Sequence, residues 1–508
     1  MLAFGQMTPR RSALLVRSFA SGPNRWKTPI TQHFINNEFV DSINGKTFDS
    51  INPVNEEKIA TFQAADAADV NVAVKAAQDA FALGSPWRTM VAGDRRDVMY
   101  KFAQLIEKHR DELAYWEHID NGKPEGIANA VDLEKVIRCY KYYAGWADKG
   151  MNGQTIKMEQ HPFFCYTSHE PVGVCGAIIP WNFPLLMQAW KLGPALAAGC
   201  TVVMKTSEKT PVTGLMAAEL IKEAGFPPGV VNILSGFGKD AGEPIAKHMD
   251  VDKVAFTGST AVGHLIQKYA AESNMKRVSL ECGGKSPMII CEDGDLQKAV
   301  DAAHIGLFLN SGQCCIASSR IFVQDSVYDA FVDKVLEPIK AGTAAWTLGS
   351  GMQGPQVDKI QFDKVMGYIE KGKAEGATLQ TGGAQHGDKG YFVEPTVFTD
   401  VKDDMTIMQE EIFGPVMSIA KFSTLDEAVE RANTTHYGLG AGIISENIGK
   451  ALKLANDVRG GTVYVNCYDV FDTAAPFGGF RESGHGRDLG QYALDNYREV
   501  KTVIIPTA

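Results

Sequence analysis

From Val172 onward the sequence alternates short apolar runs with helical stretches, and that alternation limits the fold more than any other feature. "VGVCGAII" (172–179) precedes a helical run from Leu186 to Ala198, and "CTVVMK" (200–205) precedes "TGLMAAELIKEA". "VVNILS" (230–235) and "KVAFTG" (253–258) each precede a further helical stretch. Continuous apolar runs suit strands buried on both faces, and intervening helices return the chain in the same direction. The pattern predicts an α/β fold built on a doubly wound parallel sheet. A second series starts at "SPMIIC" (286–291), passes through a helix to "GQCC", and resumes in "SRIFVQ" (319–324), "VMSIAKF" (416–422) and "GAGIIS" (440–445). It predicts a second unit of the same kind. Residues 60–148 read as mainly helical. The segment "GQTIKMEQHPFFCYTSHEP" (153–171) alternates like strands, and with the closing "EVKTVIIP" it is expected to form a small protruding sheet used for assembly.

With 508 residues the chain is long enough for more than one domain. Its net charge of −10 argues against a nucleic-acid partner, which needs a basic face. No run approaches the ~18 apolar residues of a membrane span. Nine cysteines, odd in number and without CxxC pairs, suggest neither a disulfide framework nor a metal site, and fit a reducing compartment. The first residues differ. "MLAFGQMTPRRSALLVRSFASGPNRW" carries Arg10, Arg11 and Arg17, and the first acidic residue is Glu38. A basic, amphipathic, acid-poor start is expected of a mitochondrial transit peptide, here residues 1–20, which places the mature protein in the mitochondrial matrix. A basic tail without an address is the alternative.

"FTGSTAVG" sets Gly258 and Gly263 at a strand end and helix start, where free backbone N–H groups suit a phosphate. It is neither GxGxxG nor a P-loop, and "SGFGKDAG" (235–242) is a glycine-rich competitor. The neighbouring strand ends in "MKTSEKTP", with Lys205 at its end and Glu208 three residues on, where an acidic residue can take ribose hydroxyls; a surface ion pair between the two is the alternative. A glutamate there repels a 2′-phosphate and favours NAD over NADP. "PWNFP" adds Asn182, an amide donor between two stiffening prolines.

"NSGQCCIASSR" sets Cys314 beside Cys315. Adjacent cysteines rarely bridge each other, and a metal would need more Cys or His nearby. Neighbouring side chains diverge, so at most one enters a given pocket. A nucleophilic thiol needs help to ionise. With eleven histidines a Cys–His pair is available. Glu281, which ends the β run of "SLECGGKSP", makes better sense as a base for water in a later step than as an activator of the thiol.

"PWNFP", "FTGSTAVG", "LECGGKSP", "GQCC", "EEIFGPV" and "PFGGFRESGHGR" follow one another in an order and spacing that resembles the aldehyde dehydrogenase superfamily, over essentially the whole chain after the leader. The resemblance is nearest to the mitochondrial and cytosolic NAD-dependent branch. It implies two Rossmann-like domains and a small β extension: an NAD-binding domain from 21–148 and 172–283, a catalytic domain over 284–483, and oligomerisation segments at 149–171 and 484–508 of a homotetramer. It implies that Cys315 is the nucleophile, Glu281 the general base, and Asn182 part of the oxyanion hole with the backbone N–H of Cys315. Trp181, Lys205 and Glu208, the turn Gly258, Ser259, Thr260, Ala261, Val262 and Gly263, and Glu411 with Phe413 would hold NAD. The implied reaction takes an aldehyde to a carboxylic acid through a thiohemiacetal and a thioester.

Phe183, Met187, Trp190, Phe471 and Phe477 fall at family positions that line the aldehyde tunnel, and an apolar tunnel suits aliphatic or aromatic aldehydes. Phe471 at the entrance points to small ones such as acetaldehyde, whereas Ile316 resembles the retinal-oxidising branch. A semialdehyde, betaine-aldehyde or retinal dehydrogenase is the alternative within the family. Outside it stand a Cys–His hydrolase without cofactor and a non-enzymatic relative. Three departures from the family pattern are Cys282, where Leu is commoner, Asp488, where Glu is, and the run "AGTAAWTLGSGMQGP" (341–355), which lacks the usual Gly-Asp/Asn-Pro turn.

Overall fold

The computed structural model describes residues 25–160, 162–343 and 351–507. The expected transit peptide at 1–20 lies outside them.

An eight-stranded sheet forms the first layer system, with strand order Gly484–His485, Arg277–Glu281, Lys253–Thr257, Val174–Ile178, Thr201–Thr206, Val231–Ser235, His33–Ile35 and Glu38–Val40. The five inner strands run parallel. The chain enters at Val174–Ile178, winds outward through the next two strands, then crosses back to Lys253–Thr257 on the other side. The order therefore reverses between Val174–Ile178 and Lys253–Thr257, and a crevice opens at the carboxyl ends of these two strands. "PWNFP" leaves one of them and "GSTAVG" the other.

The helix Pro184–Ala198, which follows "PWNFP", is buried along its whole length. Gly199, in a left-handed conformation (φ 89°), ends it before the next strand. The helix Thr260–Glu272 starts at Ser259, whose side chain caps it from Val262 N–H.

A seven-stranded sheet forms the second system, in the order Thr378–Thr381, Thr396–Thr399, Val416–Phe422, Arg320–Gln324, Pro287–Ile290, Gly440–Ile444 and Thr462–Val465. All neighbours are parallel except the first pair. Every strand expected from an apolar run is present to within a residue or two. The strands near the N-terminus, the hairpin Thr47–Ile51 with Lys58–Gln63, and the strands at 378–381, 396–399 and 462–465 had no comparable run. Most are short and partly exposed or sit at an edge, whereas His33–Ile35 and Thr396–Thr399 are buried inside their sheets but too short to stand out as apolar runs.

Thr155–Lys157, Phe163–Pro171 and Arg498–Pro506 make a separate three-stranded antiparallel sheet. Of the oligomerisation segment expected at 484–508, Arg498–Pro506 lies in this sheet. Gly484–His485 instead pairs with Arg277–Glu281, and the helix Gly490–Asp495 packs on Pro184–Ala198. The reason is local. Gly484 (φ 117°) approaches Leu280 so closely that an added Cβ would lie 2.0 Å from its carbonyl oxygen, which lets the chain close the sheet edge before turning away.

Candidate active site

The two sheets meet where the cysteine turn faces the strand end at Glu281. Asn310, Ser311 and Gly312 take successive left-handed conformations (φ 51°, 60° and 75°). Ser and Asn pay for this backbone in strain, which surrounding bonds must hold. Ser311 Oγ donates to Gly354 O at 2.6 Å, and Gln356 Nε2 donates to Ser311 O at 3.1 Å. Gln313 is buried and clamps the turn: Nε2 donates to Asn310 O (3.0 Å) and Pro355 O (3.3 Å), while Oε1 accepts from Val357 N–H (2.9 Å). The glutamine of "GQCC" is thus a structural anchor that the sequence displayed without declaring its task.

The two cysteines differ in burial. Cys314 is buried in the core, whereas Cys315 is partly exposed. The Cys315 thiol is pushed well above its ordinary pKa by a hydrogen bond with Cys314 first, then by burial and the carboxylates of Glu281 and Glu411. Glycines allow this approach. An added Cβ on Gly284 would stand 2.3 Å from Cys315 O, and one on Gly283 would stand 2.3 Å from Glu411 Oε2. Gly284 N–H donates to Glu411 Oε1 at 2.9 Å.

Glu281 is buried, and its Oε2 has no hydrogen-bond partner among the described residues. Burial pushes its pKa well up and Asp488 adds to the effect, while Lys191 and Arg487 oppose it. Lys191 and Asp488 form a buried ion pair at 2.5 Å. Asp488 is therefore the second carboxylate of the Glu281 surroundings, a task its place in "GHGRD" did not reveal. The Glu281 carboxylate also points at the chain after Phe477, since a Cβ on Gly478 would lie 2.7 Å from Oε1.

Asn182 is buried, and its Nδ2 donates to Gln313 O at 3.0 Å. An amide nitrogen carries two hydrogens, so one remains for another acceptor beside the cysteine turn. The Asn182 carbonyl accepts from Asn310 Nδ2 (2.9 Å) and Lys123 Nζ (3.3 Å), which fixes "PWNFP" to both sheets. Lys123 is itself ion-paired to buried Asp132. Asn121 Nδ2 holds Trp181 O at 2.7 Å. Sequence reading passed over Lys123, Asp132 and Asn121 because a polar residue on a helix or beside a turn usually faces water.

At the crevice, Lys205 is buried and donates to Thr206 O and Gly236 O, both at 2.8 Å, with Glu208 at 3.5 Å. Burial lowers the Lys205 pKa. A surface ion pair is therefore excluded for this lysine, and the competing glycine run at 235–242 serves as its support. Across the crevice Gly258 N–H donates to Glu281 O at 3.0 Å, so the turn and the carboxylate strand share an end. Ser259, Ala261 and Val262 are exposed, and the first turn of their helix opens outward. Thr260 Oγ1 donates to Glu482 O at 3.3 Å. Gly263 leaves room for Cys282 Sγ, which an added Cβ would approach to 2.7 Å, so the unusual Cys282 fills space under the helix. Trp181 meets Phe413 edge to face at 5.2 Å, joining the two sides. Phe413 has a positive φ of 61°, and its carbonyl is held by Gln361 Nε2 at 2.8 Å. An acidic side chain beside a buried lysine, an open helix start and a second carboxylate beyond an aromatic pair form a row that fits a dinucleotide.

Of the expected tunnel residues, Trp190, Phe471 and Phe477 pack on one another, with centroids 5.1, 5.7 and 6.4 Å apart. Met187 is buried one helical turn before Trp190. Phe183 lies under Lys123 Nζ, 4.0 Å from its ring centre. Among the described residues no group of three His, Cys, Asp or Glu is placed to hold a metal ion.

Residues 39–503 match the model of the aldehyde dehydrogenase family. The chain is 55% identical to the mitochondrial aldehyde dehydrogenase of Rattus norvegicus, over 99% of this chain and 98% of that one. It is 55% identical to aldehyde dehydrogenase 1A1 of Gallus gallus over 94% of each. The solved NAD+ complex of the Bacillus cereus aldehyde dehydrogenase superposes with a TM-score of 0.91 at 48% identity, covering 99% of both chains.

Proposed function

The chain belongs to the aldehyde dehydrogenase family, and we propose that it oxidises small aliphatic aldehydes, acetaldehyde among them, with Cys315 as nucleophile, Glu281 as general base and Asn182 as oxyanion donor. It is an NAD-dependent enzyme that converts aldehydes to carboxylic acids. The observation that carries the assignment of roles is the convergence of a partly exposed cysteine, a buried carboxylate oxygen without a hydrogen-bond partner among the described residues and an amide with a hydrogen to spare at one sheet junction.

Cys315 Sγ, as thiolate, bonds to the aldehyde carbon, and the carbonyl oxygen becomes an oxyanion. The spare Asn182 hydrogen and the Cys315 N–H receive that charge. Lys205, Glu208, residues 258–263 and Glu411, beside Trp181 and Phe413, would hold NAD, which would supply the acceptor for the hydride that leaves the carbon. A thioester on Cys315 remains. Glu281 takes a proton from water, the water oxygen bonds to the acyl carbon, and the carbon–sulfur bond breaks to release the acid and the thiolate. Its raised pKa makes it a stronger base than an exposed glutamate once ionised.

The aromatic trio supports small aliphatic substrates, and Ile316 keeps a retinal-type substrate as the alternative. The basic, acid-poor first residues and the mitochondrial relatives support residence in the mitochondrial matrix. The exposed three-stranded sheet supports a homotetramer. Pre-steady-state NADH formation with propanal tests the roles. Cys315→Ala should abolish it, Cys314→Ala should spare it, and Glu281→Gln should allow one burst and then stall. Wild-type rates in Cys315→Ala would overturn the assignment.

A further inference from the structure

The aromatic trio has a polar end. Phe471 carries Lys135 Nζ over its ring, 4.4 Å from the centre. Two residues earlier, Asp469 is only 8% exposed, and neither of its carboxylate oxygens has a hydrogen-bond partner among the described residues. The hydroxyl of Tyr464, also buried, has none either, and Tyr464 feels the charge of Asp469 together with the thiols of Cys314 and Cys315. Lys135 in turn feels Asp469 ahead of any other anion, and Cys314 as well. An ammonium, a carboxylate and a phenol therefore gather at one rim of the aromatic tunnel, within electrostatic reach of the cysteine turn. Buried polar groups left without partners are costly, and a ligand that satisfies them recovers that cost.

We propose that Lys135, Asp469 and Tyr464 form a subsite that binds a hydroxyl group on the substrate, at the end distal to the aldehyde. This rests on the reading of the trio as the aldehyde tunnel. An ammonium only donates and a carboxylate only accepts, whereas a hydroxyl does both and can bridge the two. A carboxylate tail would meet Asp469 and an ammonium tail would meet Lys135, so a neutral group is favoured over a charged one. The subsite ranks aldehydes by whether they carry such a distal hydroxyl. Lys135 and Asp469 are thus specificity residues that the apolar reading of the tunnel did not include.

The test compares kcat/KM for hexanal and 6-hydroxyhexanal, and for octanal and 8-hydroxyoctanal, in the wild type, Lys135→Met and Asp469→Asn. Asparagine tolerates the left-handed backbone of Asp469 (φ 54°). The wild type should prefer the hydroxyaldehyde of at least one pair by about tenfold or more, because a site built for a hydroxyl rejects its absence. Both variants should bring that ratio toward one. Equal efficiency in the wild type, which involves no substitution, or a preference that survives both variants, overturns the subsite while NADH formation from propanal leaves the aldehyde reading standing. No NADH formation from any of these aldehydes, propanal included, would overturn the reading itself.

Discussion

Cys315 and Glu281 are costly residues as the fold holds them. The thiol resists ionisation because Cys314, burial, Glu281 and Glu411 all act against the thiolate. Alkylation of Cys315 by iodoacetamide, followed by mass spectrometry across pH, should have a midpoint above that of a free thiol. Both Cys314→Ala and Glu281→Gln should lower that midpoint. Glu281 is the reverse of the usual stabilising carboxylate. Its folded-state pKa lies well above 4.5, so the folded chain keeps a proton that the unfolded chain gives up. Stability therefore falls as pH rises from about 4.5 and levels off above the folded-state value. Glu281→Gln should melt higher than the wild type at pH 8 while turnover collapses, which calorimetry and steady-state rates would show together. Asn182→Ala should cost about 10²–10³ in rate if its spare hydrogen meets the oxyanion. A change under tenfold would leave the Cys315 N–H as the donor that matters.

The helix Arg110–Asn121 shows how an element serves the site from a distance. Glu117, Asp120 and Asn121 share one face, at i, i+3 and i+4, and all are buried. Glu117 accepts from Thr213 Oγ1 at 2.6 Å. Asp120 accepts from Val212 N–H at 2.8 Å and Ser50 Oγ at 3.0 Å. The helix Val212–Ala224 lacks a side-chain cap of its own, so Asp120 caps it from another helix. Asp120→Ala should destabilise the protein by about 1–2 kcal/mol, read from thermal unfolding, with Asp120→Asn losing less. Burial and Asp132 raise the Glu117 pKa to about 7, against Lys123 and Thr213. Folding then takes up a proton between pH 4.5 and 7, and stability drops across that window. The gain from Glu117→Gln should grow through it and stay constant above, reaching at most about 3 kcal/mol. A gain independent of pH would mean that Glu117 is ionised in the fold.

At the scale of the molecule, the three-stranded sheet is unfinished. Arg498–Pro506 and Thr155–Lys157 are its edges, and Ile156, Phe164, Val500, Ile504 and Ile505 are exposed on it. An exposed apolar edge of this kind invites strand pairing with another chain. Light scattering coupled to size exclusion should give a tetramer for the wild type and smaller species for the double variant Val500→Lys, Ile504→Lys. An unchanged mass in the variant would move the interface elsewhere.

The sequence by itself determined the architecture, since burial on both faces writes a strand such as Val416–Phe422 as a continuous apolar run that helices must separate. It also displayed the chemistry-bearing motifs, because a strand-end carboxylate, a paired thiol and an amide between prolines are each local patterns. Only the tertiary structure decided how those motifs are supported. Gln313, Asn121, Lys123 with Asp132, and Lys191 with Asp488 act across spans of three to nearly three hundred residues. Such partners carry no local signature: a buried polar residue looks like a solvated one until its contacts are known. The same holds for the rim of the tunnel, where Lys135 and Asp469 read as ordinary surface charges until the fold sets them beside Phe471.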